Sequence, residues 1–193
     1  ADALEFAETL LERTTPKWFL GFRDIARATD ERTVIASVLP RAGVGHTAPL
    51  ITVAVNPKQG AALLGNFGSL ALDMVARQKV GGTHLTYFNV KQLPILALSS
   101  YTDADLHFIV SRVLELIYTE YGLKPWAEAL GFDGAPFPFN PDRRAQLRAE
   151  LDAYYARLYG LNREYLCYIL DPASVMGDDY PSETFRVLKN NEV

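Results

Sequence analysis

Residues 76–96, ARQKVGGTHLTYFNVKQLPIL, crowd Thr83, His84, Thr86, Tyr87, Asn89, Lys91 and Gln92 onto one bend hinged at Gly81-Gly82 and entered through Lys79. Two further stretches concentrate similar groups. RDIARATDERT (23–33) carries Arg23, Arg27, Thr29, Asp30, Glu31 and Arg32, and PRAGVGHTA (40–48) carries Arg41, His46 and Thr47. Such residues have the chemistry to read a nucleic acid. Arginine can chelate a guanine edge and Asn or Gln an adenine edge; acids accept from the cytosine amine, while hydroxyls and Lys hold phosphates. Loops on a rigid sheet are a natural place to display them. Each group also has a plainer reading. Arg32 can pair with Asp30 or Asp24 at the surface, a contact worth little. Asn89 is as readily a turn former as an adenine reader, and Lys91 and Gln92 can simply end a strand.

Other chemistries fail on spacing. Gly43-x-Gly45-x-x-Ala48 has the form of a dinucleotide-binding loop, but that loop needs a helix N-terminus directly after it. Pro49 instead leads into a β-branched run, which predicts a Gly-rich hairpin. His46, His84 and His107 are not at metal-ligand spacing, and Cys167 has no partner cysteine. No G-x-S-x-G elbow or phosphate-binding G-x-x-x-x-G-K-[ST] loop is present. Asp178-Asp179 beside Gly177 reads as a pair of turn acids. The sequence therefore predicts no catalytic residue and no metal ligand in this chain; an unfamiliar small-molecule site around His46 and His84 is the enzymatic alternative.

The elements that must position these groups read as α+β: an N-terminal mixed β-sheet lobe with a packed helix (1–98), then a C-terminal helical lobe (99–193). An amphipathic helix over 3–13 shows Leu4, Ala7 and Leu11 on one face. KWFLGF (17–22), TVIASVLP (33–40), PLITVAV (49–55), HLTYF (84–88) and PILAL (94–98) read as strands. In that reading Tyr87 and Phe88 alternate, which puts one of them in the core. Asn56-Pro57 is a helix start, and Leu63, Phe67, Leu70 and Met74 continue at helical spacing to about Arg77. Gly65 and Gly68 within that helix are unfavourable unless they permit close approach to a sheet. The second half holds a helix striped by Leu106, Ile109, Val110, Val113, Leu114 and Ile117, and a short one after Pro125. Beyond them lie a long helix from Asn140-Pro141 to Gly160 and a last one from Asn162 that Asp171-Pro172 closes.

With 193 residues, 49% hydrophobic, the chain can bury a sizeable core. No apolar run reaches the roughly 18 residues that span a bilayer; no membrane partner is expected. A single cysteine suits a reducing, cytoplasmic compartment. The opening Ala1 and mid-helix start predict a piece of a longer polypeptide. The net charge of −4 divides unevenly. Arg13 to Lys91 holds ten Lys/Arg against four acids, and Tyr101 to the end nine against fifteen. The first part can face a polyanion.

FRDIARATDERTVIASVLPRAGVGHTAPL, followed by LDMVARQKVGGTHLTYFNVKQLPIL and the helical AQLRAELDAYYARLYGLNREYLCYIL, resembles the target-recognition region of large restriction–modification enzymes. These are the single-chain type IIG and related adenine-specific DNA methyltransferases, akin to type I specificity subunits. The resemblance runs over roughly 17–171. It implies a fragment that grips double-stranded DNA beside a methyltransferase domain. The S-adenosylmethionine and the Asn-Pro-Pro-aromatic motif would belong to that domain, because here Asn56-Pro57 precedes Lys58 and Asn140-Pro141 precedes Asp142. Arg23, Lys79 and Lys91 are then expected on phosphates, and the Arg27–Arg32 loop and Thr83–Asn89 bend on base edges. The competing expectation is a protein-interaction module docking through the helical lobe.

Overall fold

Three of the β-rich runs form a sheet, and it is antiparallel throughout rather than mixed. The computed structural model describes residues 2–14, 16–28, 30–52 and 56–170; Thr29, Asp171-Pro172 and Asp178-Asp179 lie outside the described residues. Strand β1 (Trp18–Phe22) is central, flanked by β2 (Ala36–Pro40) and β3 (Leu50–Ile51). Trp18 pairs with Pro40 and Phe22 with Ala36 on one side; Leu20 pairs with Ile51 on the other. The expected Gly-rich hairpin is therefore not a hairpin. β2 and β3 both pair with β1, so 41–49 must run from one end of β1 to the other.

Eight α-helices occur among the described residues: α1 (Ala3–Thr14), α2 (Pro57–Phe67), α3 (Leu70–Lys79), α4 (Tyr87–Val90), α5 (Asp103–Ile117), α6 (Lys124–Ala129), α7 (Pro141–Leu158) and α8 (Arg163–Leu170). The α+β class expected from the sequence is observed. Caps explain most helix starts. Asn56 accepts from Gln59 N while Gln59 reaches back, with Pro57 in the first turn. Thr102 and Asp105 repeat this reciprocal arrangement at α5, and Asn140 accepts from Arg143 N at α7. Gly160, at φ +71°, lets the chain leave α7 in the left-handed conformation.

Three expectations are corrected. The helix expected to run unbroken to Arg77 ends at Gly68, and Ser69 caps a new one by accepting from Leu72 N. HLTYF is not a strand: Thr86 accepts from Asn89 N and starts the turn α4, a local side-chain bond that competes with sheet pairing. PILAL is not a strand either. Leu96 N donates to Asn66 Oδ1, and Leu98–Ser100 form a 3₁₀ turn. A short apolar run signals burial without specifying the ladder that would make it a strand.

The largest core cluster joins both halves of the chain. Leu20 and Val38 of the sheet and Ala61 and Leu64 of α2 pack with Ile109 and Val113 of α5, Trp126 of α6 and Tyr155 of α7. Gly65 permits close approach, but to helices rather than to a sheet: a Cβ there would sit 2.8 Å from Tyr155 Oη and 3.2 Å from Ile109 Cγ2. Tyr155 in turn donates to Ala62 O at 2.7 Å. A second cluster gathers Phe22, Val34, Phe67, Leu72, Ala76 and Leu85 beneath the polar loops. Side chains of this kind contribute roughly 1.5–3 kcal/mol each when fully buried. Leu4 and Phe6 of α1 remain exposed. No helix among the described residues is long and apolar enough to cross a membrane.

Candidate nucleic-acid interface

The backbone brings parts of all three polar stretches to one end of the sheet. Beyond Phe22 the chain continues in an extended form, with Arg23 N donating to Ile35 O at 2.8 Å and Asp24 N to Thr47 O at 3.0 Å. The bend then closes on it. Leu85 N donates to Asp24 O at 2.7 Å, Ala26 N donates to Thr83 O at 3.0 Å, and Ile25 and His84 form an antiparallel bridge. Residues 23–26 thus bond to both Thr47 and 83–85. Arg27, His46, Thr83 and His84 are exposed around this junction. His84 Nδ1 lies 3.0 Å from Asp24 Oδ2. Arg41 does not join them: it follows Pro40, which pairs with the first residue of β1, at the opposite end of the strands.

The bend is built by its own side chains. Thr86 N and Oγ1 both donate to Asn89 Oδ1, and Asn89 Nδ2 donates to Lys79 O at 3.0 Å. Asn89 is therefore the turn former of the two alternatives in its hydrogen bonding. Tyr87 Oη donates to Leu50 O at 2.8 Å and its ring meets Phe22 edge-on at 5.5 Å, which docks α4 against β3. The expectation that Tyr87 or Phe88 is core is corrected. The turn is helical, so alternation does not apply, and the two are 49% and 75% exposed. Lys79 Nζ reaches Gln92 Oε1 at 3.4 Å, and the exposed Lys91 side chain makes no hydrogen bond or ion pair among the described residues.

The loop after Arg27 is pinned from beneath by buried charges. Asp73 Oδ1 accepts from Thr33 N and Val34 N, both at 2.8 Å, and Arg77 Nε donates to Asp73 Oδ2 at 2.8 Å. The Arg77 guanidinium also donates to Ala28 O at 2.6 Å and Glu31 O at 2.8 Å. Both side chains are almost wholly buried. Burial pushes the Asp73 carboxyl up, against the pull of Arg77 and the Val34 N–H.

A second pair ties this loop to α7. Arg32 Nη2 donates to Asp152 Oδ2 at 2.7 Å, and Leu70 N donates to Asp152 Oδ1 at 2.8 Å. Burial lifts Asp152 to about 6, with Arg32 and the Leu70 N–H opposing. Arg32 Nη1 is buried with no hydrogen-bond partner among the described residues. Arg32 therefore pairs with neither Asp30 nor Asp24. Asp30 instead accepts from Arg23 Nη2 at 2.9 Å and Arg27 N at 3.3 Å, and Glu31 lies 3.5 Å from Arg148. Asp30, Glu31 and Arg32 are engaged within the protein, the last two with α7, while Arg27 makes no side-chain bond among the described residues.

Asp73, Arg77 and Asp152 were not among the expected functional residues. The Asp73–Arg77 spacing of four signals an ion pair on a helix, but that pair is usually solvent-exposed and weak; only the fold buries it. Several cations of the basic stretch are thus neutralised in place. Among the described residues no group of three or more His, Cys, Asp or Glu side chains is arranged to hold a metal ion. Compared with family models, with curated proteins and with solved structures, the chain finds no match in any of the three.

Proposed function

We propose that this chain is the target-recognition part of a restriction–modification enzyme of the adenine-specific DNA methyltransferase type. It holds duplex DNA for a methyltransferase domain, with its S-adenosylmethionine, outside these residues. The observation that carries the reading is the junction of 23–27, His46–Thr47 and 83–85. It sets the exposed Arg27, His46, Thr83 and His84 around one rigid sheet end. Lys91 and Lys79 lie on the adjoining bend as phosphate ligands, and Arg23 can exchange its exposed pair with Asp30, worth under about 1 kcal/mol, for a phosphate. Arg32, Asp73, Arg77 and Asp152 fix the loop rather than touch a base.

The test is duplex binding by fluorescence anisotropy across a salt series. Neutralising about three phosphates gives a log–log slope of about −2.7; Lys91→Ala flattens it by about one, while Arg27→Ala weakens binding by about 1–3 kcal/mol. Absence of binding at about 50 mM salt, or affinity indifferent to salt, would refute the reading.

A further inference from the structure

Phe88 is the most exposed large apolar side chain among the described residues. A single exposed aromatic is ordinary on a protein surface; the way this one is held is not. Leu85, Val90 and Leu93 on either side of it are buried in the cluster beneath the polar loops. Tyr87 is docked on Leu50 O, and the Thr86–Asn89 cap closes the turn. Gln92 Nε2 donates to Phe88 O at 3.1 Å, so the carbonyl of Phe88 is tied down as well. A side chain on a loose loop can fold back onto apolar surface when no partner is present. Phe88 instead stands on a turn anchored before and after it, and its ring meets no other aromatic ring among the described residues.

The charges around the turn have one sign. No Asp or Glu occurs between Asp73 and Asp103. Lys91 lies three residues beyond Phe88 on the same turn, and Lys79 is joined to it through Asn89 Nδ2 and Lys79 O. Neither ammonium has a carboxylate partner among the described residues. An apolar protein surface would not call for the lysines, and a bare polyanion would not call for the ring. A stacked duplex offers both an anionic backbone and flat apolar base faces. The turn also begins at the right place, because Leu85 N donates to Asp24 O at the sheet end proposed for DNA.

We propose that Phe88 is an apolar wedge that enters between two base pairs of duplex DNA from the minor groove, while Lys79 and Lys91 hold the phosphates beside it. The inference rests on the DNA reading above and adds what that reading leaves open, the deformation of the duplex. A ring inserted in this way partly unstacks one step and bends the duplex by roughly 20–90°. Pyrimidine–purine steps, TA among them, unstack most readily. Phe88 therefore contributes specificity at a step where no base edge is read. An opened step also makes extrusion of a neighbouring base easier, which a domain that modifies a base requires.

The test uses the full chain and a short duplex with a central TA step and a donor and an acceptor dye at its two ends; a second duplex has GC in place of TA. Anisotropy reads binding and energy transfer reads bending. The wild type should bind more weakly as salt rises and should raise the energy transfer, more on the TA duplex than on the GC one. Phe88→Ala, which removes an exposed ring and no charge, should fold normally, keep the salt slope, bind about 5- to 20-fold more weakly and leave the duplex straight. Phe88→Leu retains an apolar wedge and should restore part of the bend. Salt-dependent binding without a rise in energy transfer, or a rise that Phe88→Ala preserves, would overturn the wedge while leaving the DNA reading intact. Absence of salt-dependent binding to either duplex would end both. Tighter binding of a single strand than of the duplex, lost in Phe88→Ala, would make the ring a stacking platform for unpaired bases. Self-association lost in Phe88→Ala, with DNA binding unchanged, would assign the ring to a second copy of this chain, and either result counts against the proposal.

Discussion

Replacing Asp73 by Ala is expected to lower folding stability by about 3–5 kcal/mol, the cost of breaking a buried ion pair from one side. The magnitude follows from what the carboxylate holds. It accepts from Thr33 N, Val34 N and Arg77 Nε, and Thr33, Val34 and Arg77 are themselves buried. Truncation leaves two backbone donors without an acceptor, each costing about 1–3 kcal/mol, and deprives the buried Arg77 guanidinium of its counter-charge. Urea unfolding followed by circular dichroism measures it. With a denaturant slope of roughly 2 kcal/mol/M, a loss near 4 kcal/mol moves the midpoint down by about 2 M. The double replacement Asp73→Ala/Arg77→Met removes both charges and should be less harmful than the sum of its parts by more than about 0.5 kcal/mol. A loss under about 1 kcal/mol, or strict additivity, would refute the claim that this pair organises the loop.

Gly65→Ala should destabilise by about 1–3 kcal/mol in thermal unfolding, although Ala is the better helix former by about 1 kcal/mol, because its Cβ displaces Tyr155 Oη from Ala62 O. Greater stability would show that Tyr155 yields freely. Asp152 lies above its unfolded value, at about 6 against 3.8, so the folded state holds its proton more tightly. Its contribution to stability is therefore full below about pH 4 and declines as pH rises towards 6, by on the order of 3 kcal/mol. Stability of the wild type relative to Asp152→Asn should fall over that window in urea titrations, and a pH-independent difference would contradict the assignment. Phe88→Ala should stay within about 0.5 kcal/mol of wild type, since the ring is exposed. Tyr87→Phe should lose about 0.5–1.5 kcal/mol with its bond to Leu50 O.

Much of the helical architecture is legible in residue order. The caps at Asn56, Thr102 and Asn140 act on backbone donors three residues away, and the stripe from Leu106 to Ile117 repeats at the helical period. Such features are local, so a sequence states them directly. The sheet is less legible. TVIASVLP and PLITVAV are visibly β-rich, yet nothing in either says that β1 will come between them, and the linking glycines suggest the hairpin that does not form.

The polar bend shows the same division more sharply. Its composition marks 76–92 as unusual, and the Thr86–Asn89 spacing allows either a strand end or a capped turn; burial of Leu85 and docking of Tyr87 on Leu50 select the turn. By itself the sequence determined the long capped and striped helices and where donors and cations are concentrated. Only the tertiary structure decided which charges remain available. It buried Asp73 with Arg77, spent Arg32 on Asp152 and left Arg27 and Lys91 facing solvent. The physical reason is that a charge's availability depends on desolvation and on partners up to 120 residues away in the chain, neither of which is encoded in its neighbours.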